Sequence, residues 1–204
     1  MSQEQEWVRR AQDGDAGAFE QLVLLHQQKI YHLALRLCGN AEDAQEAVQE
    51  AFLSAWKHLP SFRGEAGFST WLYRLTVNAC NDLFRRRKAP AGLLSLDDEE
   101  ETLQLRDPQP LPQEEAERSE LRRNVQQALL QLSPPHREVL LLRELQQLSY
   151  EEISSVLSLD PGTVKSRIHR ARNQLREILL KQGTFSPPPA SKVTESKEKE
   201  HPVS

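Results

Sequence analysis

Six side chains between residues 161 and 176 have the types and spacing that bind duplex DNA. Val164, Ile168 and Ala171 recur at helical spacing, which predicts one apolar face, and the opposite face carries donors and cations. Donors on the first exposed turns of a helix can contact base edges, and cations behind them can contact phosphates. The candidates are Thr163, Lys165, Ser166, Arg167, Arg170 and Arg172. For a charge run alone, a solvated basic face would be the better interpretation.

The residues before this segment predict a helix-turn-helix. Ser149-Tyr-Glu-Glu152 has the pattern of a capping box at the start of a short helix. Ser158 to Asp160 predicts the turn, and Asp160 followed by Pro161 predicts the cap and first residue of the basic helix. In a helix-turn-helix, the second helix is the recognition helix and lies in the major groove of DNA. The basic helix has this second position here. This combination favours DNA binding over a solvated face.

A loop and helix between residues 61 and 87 form a second candidate nucleic-acid site. Aromatic rings alternate there with cations and amides, a mixture that suits the unstacked bases of single-stranded DNA. The candidates are Phe62, Arg63, Phe68, Arg74, Asn78, Asn81, Arg85 and Arg86. Trp71 and Tyr73 could instead belong to the core, and we expect Trp71 and Leu72 to be at least partly buried.

A predicted helix from Ala41 to about His58 has a polar face as well as an apolar stripe. Glu46, Gln49 and Glu50 are spaced i, i+3 and i+4, so they share one patch. From the residues alone, a solvated helix face is the better interpretation of this patch.

No arrangement of residues predicts catalysis. The six histidines are scattered, and no nucleophile elbow, HExxH or phosphate-loop glycine pattern is present. Cys38 and Cys80 have no CxxC partner, so we expect small buried thiols rather than a metal site. The sequence therefore predicts a protein that is not an enzyme, with no cofactor, no metal and no small-molecule substrate. A polar start without a cationic region and the short apolar runs predict a cytoplasmic location.

Charge and periodicity predict an all-α chain with two small helical domains. The net charge of −4 hides an acidic stretch from Asp97 to Glu120 and basic stretches elsewhere. The segment from Ala89 to Gln113 contains four prolines and many acids, which predicts a flexible acidic linker. We expect domains at residues 1–88 and 114–182, the second with the helix-turn-helix, the linker at 89–113 and a disordered tail at 183–204.

Local signals predict where the helices begin and end. We expect one helix from about Asp15 to Gly39, a second from Ala41 to Pro60 and a third capped by Ser69. Helix should resume near Glu114 and restart at Ser133-Pro134. The inward stripe of the resumed helix is predicted to comprise Leu121, Val125, Ala128, Leu129 and Leu132.

Three motifs in this order resemble the extracytoplasmic-function sigma factors of the sigma-70 family. The stretch from Ser61 to Asn78 resembles their promoter-melting segment, and Val48-Gln-Glu-Ala-Phe52 resembles their polymerase-binding helix. Ser149-Tyr-Glu-Glu-Ile153, together with the stretch from Gly162 to Arg172, is similar to the segment that recognises the upstream promoter element. The resemblance extends from about Gly14 to Leu180.

The resemblance implies a role for each segment. The loop 61–68 would capture a flipped base of the minus-ten element, the polar face of the third helix would hold the melted strand, and the basic helix would recognise the minus-thirty-five element. The linker would follow the RNA exit path of the polymerase. Implied partners are core RNA polymerase (largest-subunit clamp helices and flap), promoter DNA and an anti-sigma factor. Implied polymerase-binding residues are Asp43, Glu46, Gln49, Glu50, Phe52 and Trp56.

Some features depart from the family pattern, and one other interpretation stays open. Gln45 and Ala47 replace the acid and leucine that the family often shows beside Val48, and the tail after Gly183 goes beyond the minimal pattern. The alternative is a free-standing helix-turn-helix regulator whose first half senses a ligand or dimerises. Such a regulator should bind promoter DNA tightly alone, whereas a sigma factor needs core polymerase.

Overall fold

Short polar side chains determine where several helices of this chain begin. In the computed structural model, which describes residues 2–88 and 112–184, the Asp15 carboxylate accepts a 3.0 Å bond from the Ala18 N–H, and Asn40 accepts a 2.8 Å bond from the Asp43 N–H. The described helices are α1 (Gln3–Gln12), α2 (Ala16–Cys38), α3 (Ala41–His58), α4 (Phe68–Lys88), α5 (Pro112–Gln131), α6 (Pro134–Glu144), α7 (Tyr150–Leu157) and α8 (Pro161–Lys181). A 3₁₀ turn at Leu59–Ser61 follows α3. The described ranges contain no strand, and the all-α prediction is confirmed.

The first half of the chain is a bundle in which α2, α3 and α4 share one apolar core. Leu22, Ile30 and Leu33 of α2 and Leu72 of α4 are fully buried, and the small residues of α3 let that helix approach them closely. Helix α1 packs on α2 through the buried Ala11.

The second half contains the predicted helix-turn-helix, formed by α7 and α8. Ile153 of α7 and Val164 and Ile168 of α8 are buried together with Val139 and Leu142 of α6. The turn between α7 and α8 is possible because Ser158 takes a left-handed conformation with φ of 54°.

The two halves meet along a seam, in which α2 contacts α5 and α6, and α4 contacts α7. Arg137 of α6 is buried there, and its guanidinium donates to four carbonyls. The Leu37 carbonyl at the end of α2 accepts at 2.5 Å. The other three acceptors, at 2.9 to 3.2 Å, are the carbonyls of Leu129, Leu130 and Leu132 at the end of α5. One cation therefore satisfies helix-end carbonyls from both halves of the chain.

Two local predictions need correction, and one helix was not predicted. Helix α4 begins at Phe68, so Ser69 lies inside the helix and is not its N-cap. Leu121 is 41% exposed and does not belong to the inward stripe of α5. Helix α1 lies in a segment for which the sequence analysis predicted no helix.

The predicted linker, apart from its last two residues, and the predicted tail after Thr184 lie outside the described residues. Cys38 and Cys80 are buried free thiols, and the hydrogen bond between them together with burial raises the pKa of Cys80. None of the described helices is both long and apolar enough to cross a membrane.

Candidate nucleic-acid interface

The first turns of α8 present most of the predicted donors to solvent. Lys165, Ser166 and Arg170 are exposed, whereas Val164 and Ile168 beside them are buried. Thr163 and Arg167 are half-buried. The helix is thus oriented by its apolar face, and its polar face is available to a groove of DNA.

Capping bonds fix the start of α8. The Asp160 carboxylate accepts a 2.9 Å bond from the Thr163 N–H and a bond from the Thr163 hydroxyl, and these bonds lower the pKa of Asp160. The Ser166 hydroxyl donates to the Thr163 carbonyl at 3.0 Å. The Thr163 hydroxyl is thus already bonded to the Asp160 carboxylate, so it is less available to DNA than the neighbouring side chains.

Arg172 lies two turns further along α8 and forms an ion pair with Glu144 of α6. Its Nε and Nη2 atoms donate to one Glu144 carboxylate oxygen at 2.9 and 2.5 Å. Both side chains are about half exposed, so the pair is open to solvent. A phosphate that binds Arg172 must compete with this carboxylate.

The aromatic residues of the 61–68 loop form a cluster with Trp71. The Phe62 ring is 4.9 Å from the Trp71 ring and 6.0 Å, edge-on, from Phe68. Phe68 is only 6% exposed and lies 5.5 Å from the His26 ring, whereas Phe62 and Trp71 are half-buried. In this arrangement the Phe62 ring is partly open to solvent, and Phe68 packs against the buried side of the cluster. The expected burial of Leu72 and partial burial of Trp71 are confirmed.

Helix α4 presents the predicted polar residues on one side. Arg74, Asn78, Arg85 and Arg86 are exposed, and so is Arg63 in the preceding loop. Arg85 pairs with Asp82 on the same helix, and Arg86 pairs with Glu46 of α3 at 3.1 Å. These exposed pairs are weak and leave the cations able to exchange partners.

The helix-turn-helix half lies against part of this polar face. Arg74, Asn78 and Asn81 line a polar cleft of which Glu138, Leu157 and Ser158 form another wall. Asn81 is hydrogen-bonded to the Glu138 carboxylate, and Arg167 of α8 lies near enough to act on that carboxylate. Burial raises the pKa of Glu138, while these two neighbours oppose the shift. The structure thus brings one residue of each candidate DNA surface to the same acid.

The open side of α3 carries four of the six predicted polymerase-binding residues. Glu46, Gln49 and Glu50 are exposed, and the face continues into Leu53, which is 58% exposed, and Trp56, which is 38% exposed. Trp56 also packs on Phe19 at 5.0 Å, and Phe52 is half-buried against the core.

Asp43 does not lie on this open face, and the prediction that placed it there is wrong. It is only 3% exposed, its carboxylate forms an ion pair with Arg87 of α4, and Asn40 donates to it at 2.9 Å. Asp43 therefore joins α3 to α4 and has no surface for a partner.

Contacts from α1 to the loop region and to α2 were not predicted. The Gln12 side-chain amide donates to the Phe62 carbonyl at 2.7 Å and to the Leu59 carbonyl at 3.3 Å. Glu4 lies 3.0 Å from Nε2 of the buried His26, and burial lowers the pKa of His26 although Glu4 opposes the shift. The signal that could have indicated α1 is Ser2-x-x-Gln5, which forms a capping box.

These surfaces define a helical DNA-binding protein with two separate candidate nucleic-acid sites. Residues 22–89 match the family model of sigma-70 region 2, and residues 122–175 match that of sigma-70 region 4. The RNA polymerase sigma-H factor of Pseudomonas aeruginosa is 39% identical over 184 residues, which cover 88% of this chain and 95% of that protein. The ECF RNA polymerase sigma factor SigW of Bacillus subtilis is 36% identical, over 84% of this chain and 94% of that protein.

Two solved structures also match this chain over most of its length. The structure of CnrH in complex with the cytosolic domain of CnrY matches with a TM-score of 0.66 and 28% identity, over 88% of this chain and 99% of that chain. The sigma factor RpoE of Bartonella quintana, solved with the anti-sigma factor NepR, matches with a TM-score of 0.62 and 25% identity, over 79% and 96%. The chain belongs to the extracytoplasmic-function sigma factors of the sigma-70 family. It is a sigma factor that directs RNA polymerase to promoters, and not a free-standing regulator.

Proposed function

We propose that three surfaces of this sigma factor have three separate binding functions. The exposed face of α8 recognises the minus-thirty-five element, the loop 61–68 with the polar face of α4 binds the melted minus-ten element, and the open face of α3 binds core polymerase. The observation that carries the proposal is the position of Lys165, Ser166 and Arg170, which project from the capped first turns of a helix-turn-helix.

The proposed minus-thirty-five surface consists of Lys165, Ser166, Arg167 and Arg170, with Thr163 and Arg172 at its edges. The capped start of α8 directs its first exposed turns outward, which suits the major groove. The cations can serve either bases or phosphates, and the two kinds of contact differ in their effect on specificity.

The proposed minus-ten surface consists of the loop aromatics and the polar residues of α4. Phe62 has the open ring surface, so we assign the contact with an unstacked base to Phe62 and the support of that ring to Phe68. Arg63, Arg74, Asn78, Asn81, Arg85 and Arg86 would hold the strand through its phosphates and base edges. Asn81 is hydrogen-bonded to Glu138, and its amide has a second N–H and a carbonyl oxygen to offer the strand.

The proposed polymerase-binding surface consists of Glu46, Gln49 and Glu50. They are exposed acids and an amide beside the apolar Leu53 and Trp56, a mixture of polar rim and apolar centre that is common in protein interfaces. Phe52 holds α3 on the core below this surface. The clamp helices of the largest subunit are the proposed partner, and the flap is proposed for the second half.

Further assignments follow from the family. We propose a division into residues 1–88, 89–113, 114–182 and 183–204, as the sequence analysis predicted. An anti-sigma factor is a proposed partner, because CnrH is solved with CnrY and RpoE with NepR. The proposed location is the cytoplasm, where RNA polymerase meets the chromosome. We propose no catalytic role for the chain.

Selection of promoters by holoenzyme tests the role of α8. Holoenzymes with Lys165→Ala, Arg167→Ala or Arg170→Ala would select from a promoter pool with a randomised upstream element. We expect at least one variant to relax the preference at one position, because a lost base contact costs about 1–3 kcal/mol at that position. A variant that loses only a phosphate contact weakens all sites alike and lowers the salt slope by about one unit. If all three variants keep the wild-type preference, α8 does not recognise sequence.

Open-complex formation tests the role of the loop. Phe62→Ala should slow melting of a duplex promoter, because a stacked base loses about 1–3 kcal/mol with that ring. Phe68→Ala should also slow melting, because Phe68 is buried and supports the Phe62 ring. A promoter that already contains a bubble should partly rescue both variants. Normal melting by both variants would mean that the aromatic cluster is only structural.

A further inference from the structure

The end of α1 is bonded to the base of the 61–68 loop. The Gln12 side-chain nitrogen donates to the carbonyl oxygens of Leu59 and Phe62, which lie 47 and 50 residues further along the chain. The Phe62 N–H in turn donates to the Leu59 carbonyl at 3.0 Å. These three bonds fix the backbone at the point where the 3₁₀ turn ends and the loop begins.

The side-chain amide of Gln12 meets both carbonyls with its own two donors. An amide nitrogen has two hydrogens, and each has one carbonyl acceptor here, so the donor capacity of Gln12 is used in full. A carboxylate of the same shape would have acceptors facing acceptors. The two bonds therefore depend on the donors of the amide, which a carboxylate or a thioether of similar size cannot supply.

Gln12 is itself held firmly in place. The preceding Ala11 is buried, and Arg10 closes the turn between α1 and α2 by donating to Asp15 at 2.9 and 2.6 Å. Asp15 is also the N-cap of α2. The amide of Gln12 is thus connected through a closed turn to the helix that forms the centre of the first half.

The consequence for Phe62 follows from its surroundings. Its carbonyl is bonded to Gln12, and its ring lies against Trp71 at 4.9 Å. Because the backbone is held on one side and the ring on the other, the angle at which the Phe62 ring faces outward is set jointly by α1 and α4.

We propose that Gln12 is a positioning residue for promoter melting, which holds the loop so that Phe62 presents its ring to an unstacked base. The inference rests on the proposed role of the loop in binding the melted strand. Gln12 makes no DNA contact in this proposal. It also lies before residue 22, where the match to sigma-70 region 2 begins.

Two substitutions separate the hydrogen bonds from the volume. Gln12→Glu keeps the shape and removes both donors, and Gln12→Met keeps the length without adding charge. Gln3→Glu is the control, because Gln3 is an exposed residue of the same helix and the change adds the same charge. Full-length variants would be assembled with core polymerase, and open-complex rates would be measured on a duplex promoter and on the same promoter with a pre-melted bubble.

We expect Gln12→Glu to slow melting of the duplex by roughly tenfold and Gln12→Met by several-fold, since about two neutral hydrogen bonds are lost. The pre-melted promoter should restore most of the rate, and the affinity for core polymerase should equal that of the Gln3→Glu control. In the free protein, hydrogen exchange at the Phe62 amide should accelerate while exchange in α2 stays unchanged.

The outcomes distinguish this inference from the proposed function. If Phe62→Ala slows melting and both Gln12 variants melt the duplex at the control rate, the inference is wrong and the role of the loop stands. If the Phe62→Ala variant melts the duplex promoter at the wild-type rate, the proposed role of the loop is wrong, and the inference about Gln12 loses its basis. Equal loss on duplex and pre-melted promoters, or weaker binding to core polymerase, would show that Gln12 serves the fold in general. If Gln12→Glu does not fold, the Gln12→Met rates decide.

Discussion

Replacing Arg137 with methionine tests how strongly the seam between the two halves depends on one buried guanidinium. Arg137 is 7% exposed and donates to four carbonyls, one at the end of α2 and three at the end of α5. Methionine fills much of the same space but donates nothing. The four carbonyls then lose their shared partner.

The expected loss follows from these bonds. Hydrogen bonds to a charged group contribute about 1.5–3 kcal/mol each, so four of them contribute about 6 kcal/mol at the lower value. Bonds that share one guanidinium are not additive, so the measured loss should be smaller than this sum. We therefore expect Arg137→Met to lower the free energy of unfolding by about 2–4 kcal/mol.

Urea unfolding followed by circular dichroism would measure this difference. Arg176→Met is the matched control, because Arg176 is an exposed arginine of α8, and its replacement should change the stability by less than about 0.5 kcal/mol. A loss for Arg137→Met no larger than that of the control would refute the reasoning, because the seam would then hold without its central cation.

Two further predictions concern α3 and α2. Glu50→Lys, alone or with Glu46→Lys, should weaken binding to core polymerase at least tenfold, because like charges across an interface cost several kcal/mol. Glu42→Lys on the same helix is the control. Equal co-purification of all variants with core polymerase would contradict the assignment. Burial lowers the pKa of His26, so the unfolded chain takes up a proton first as the pH falls below about 6.5, and stability present above that pH is lost. The stability of the wild type relative to His26→Gln should therefore fall between pH 7.5 and 5.5 in urea titrations, with the exposed His58→Gln as control. A constant difference would show that folding does not lower the pKa of His26.

The sequence predicted those features that depend on neighbouring residues. Ser149 and Asp160 are N-caps in the structure as expected, because a capping bond spans only three residues and its partners are visible in the sequence. The turn between α7 and α8 and the exposure of Lys165 and Arg170 followed from helical periodicity in the same way.

The remaining features depend on residues that are far apart in the chain. Periodicity placed Asp43 on a polar face, but it could not show that α4 brings Arg87 to that carboxylate. The bond from Gln12 to Phe62 joins residues 50 positions apart and has no local signal. Helix α1 is a different case, because its capping box and the spacing of Trp7, Val8 and Ala11 are visible in the sequence, but no helix was predicted from them.

The carboxylate of Glu138 stands where nucleic acid would otherwise supply negative charge. It is bonded to Asn81 of the proposed minus-ten surface and lies near Arg167 of the proposed minus-thirty-five surface. A DNA strand that accepts a hydrogen bond from the same Asn81 N–H would compete with Glu138 for that donor. If this competition also moved Glu138 away from Arg167, the two surfaces would be coupled, and a partner that favours separation of the halves would strengthen DNA binding by the same free energy with which DNA favours that partner.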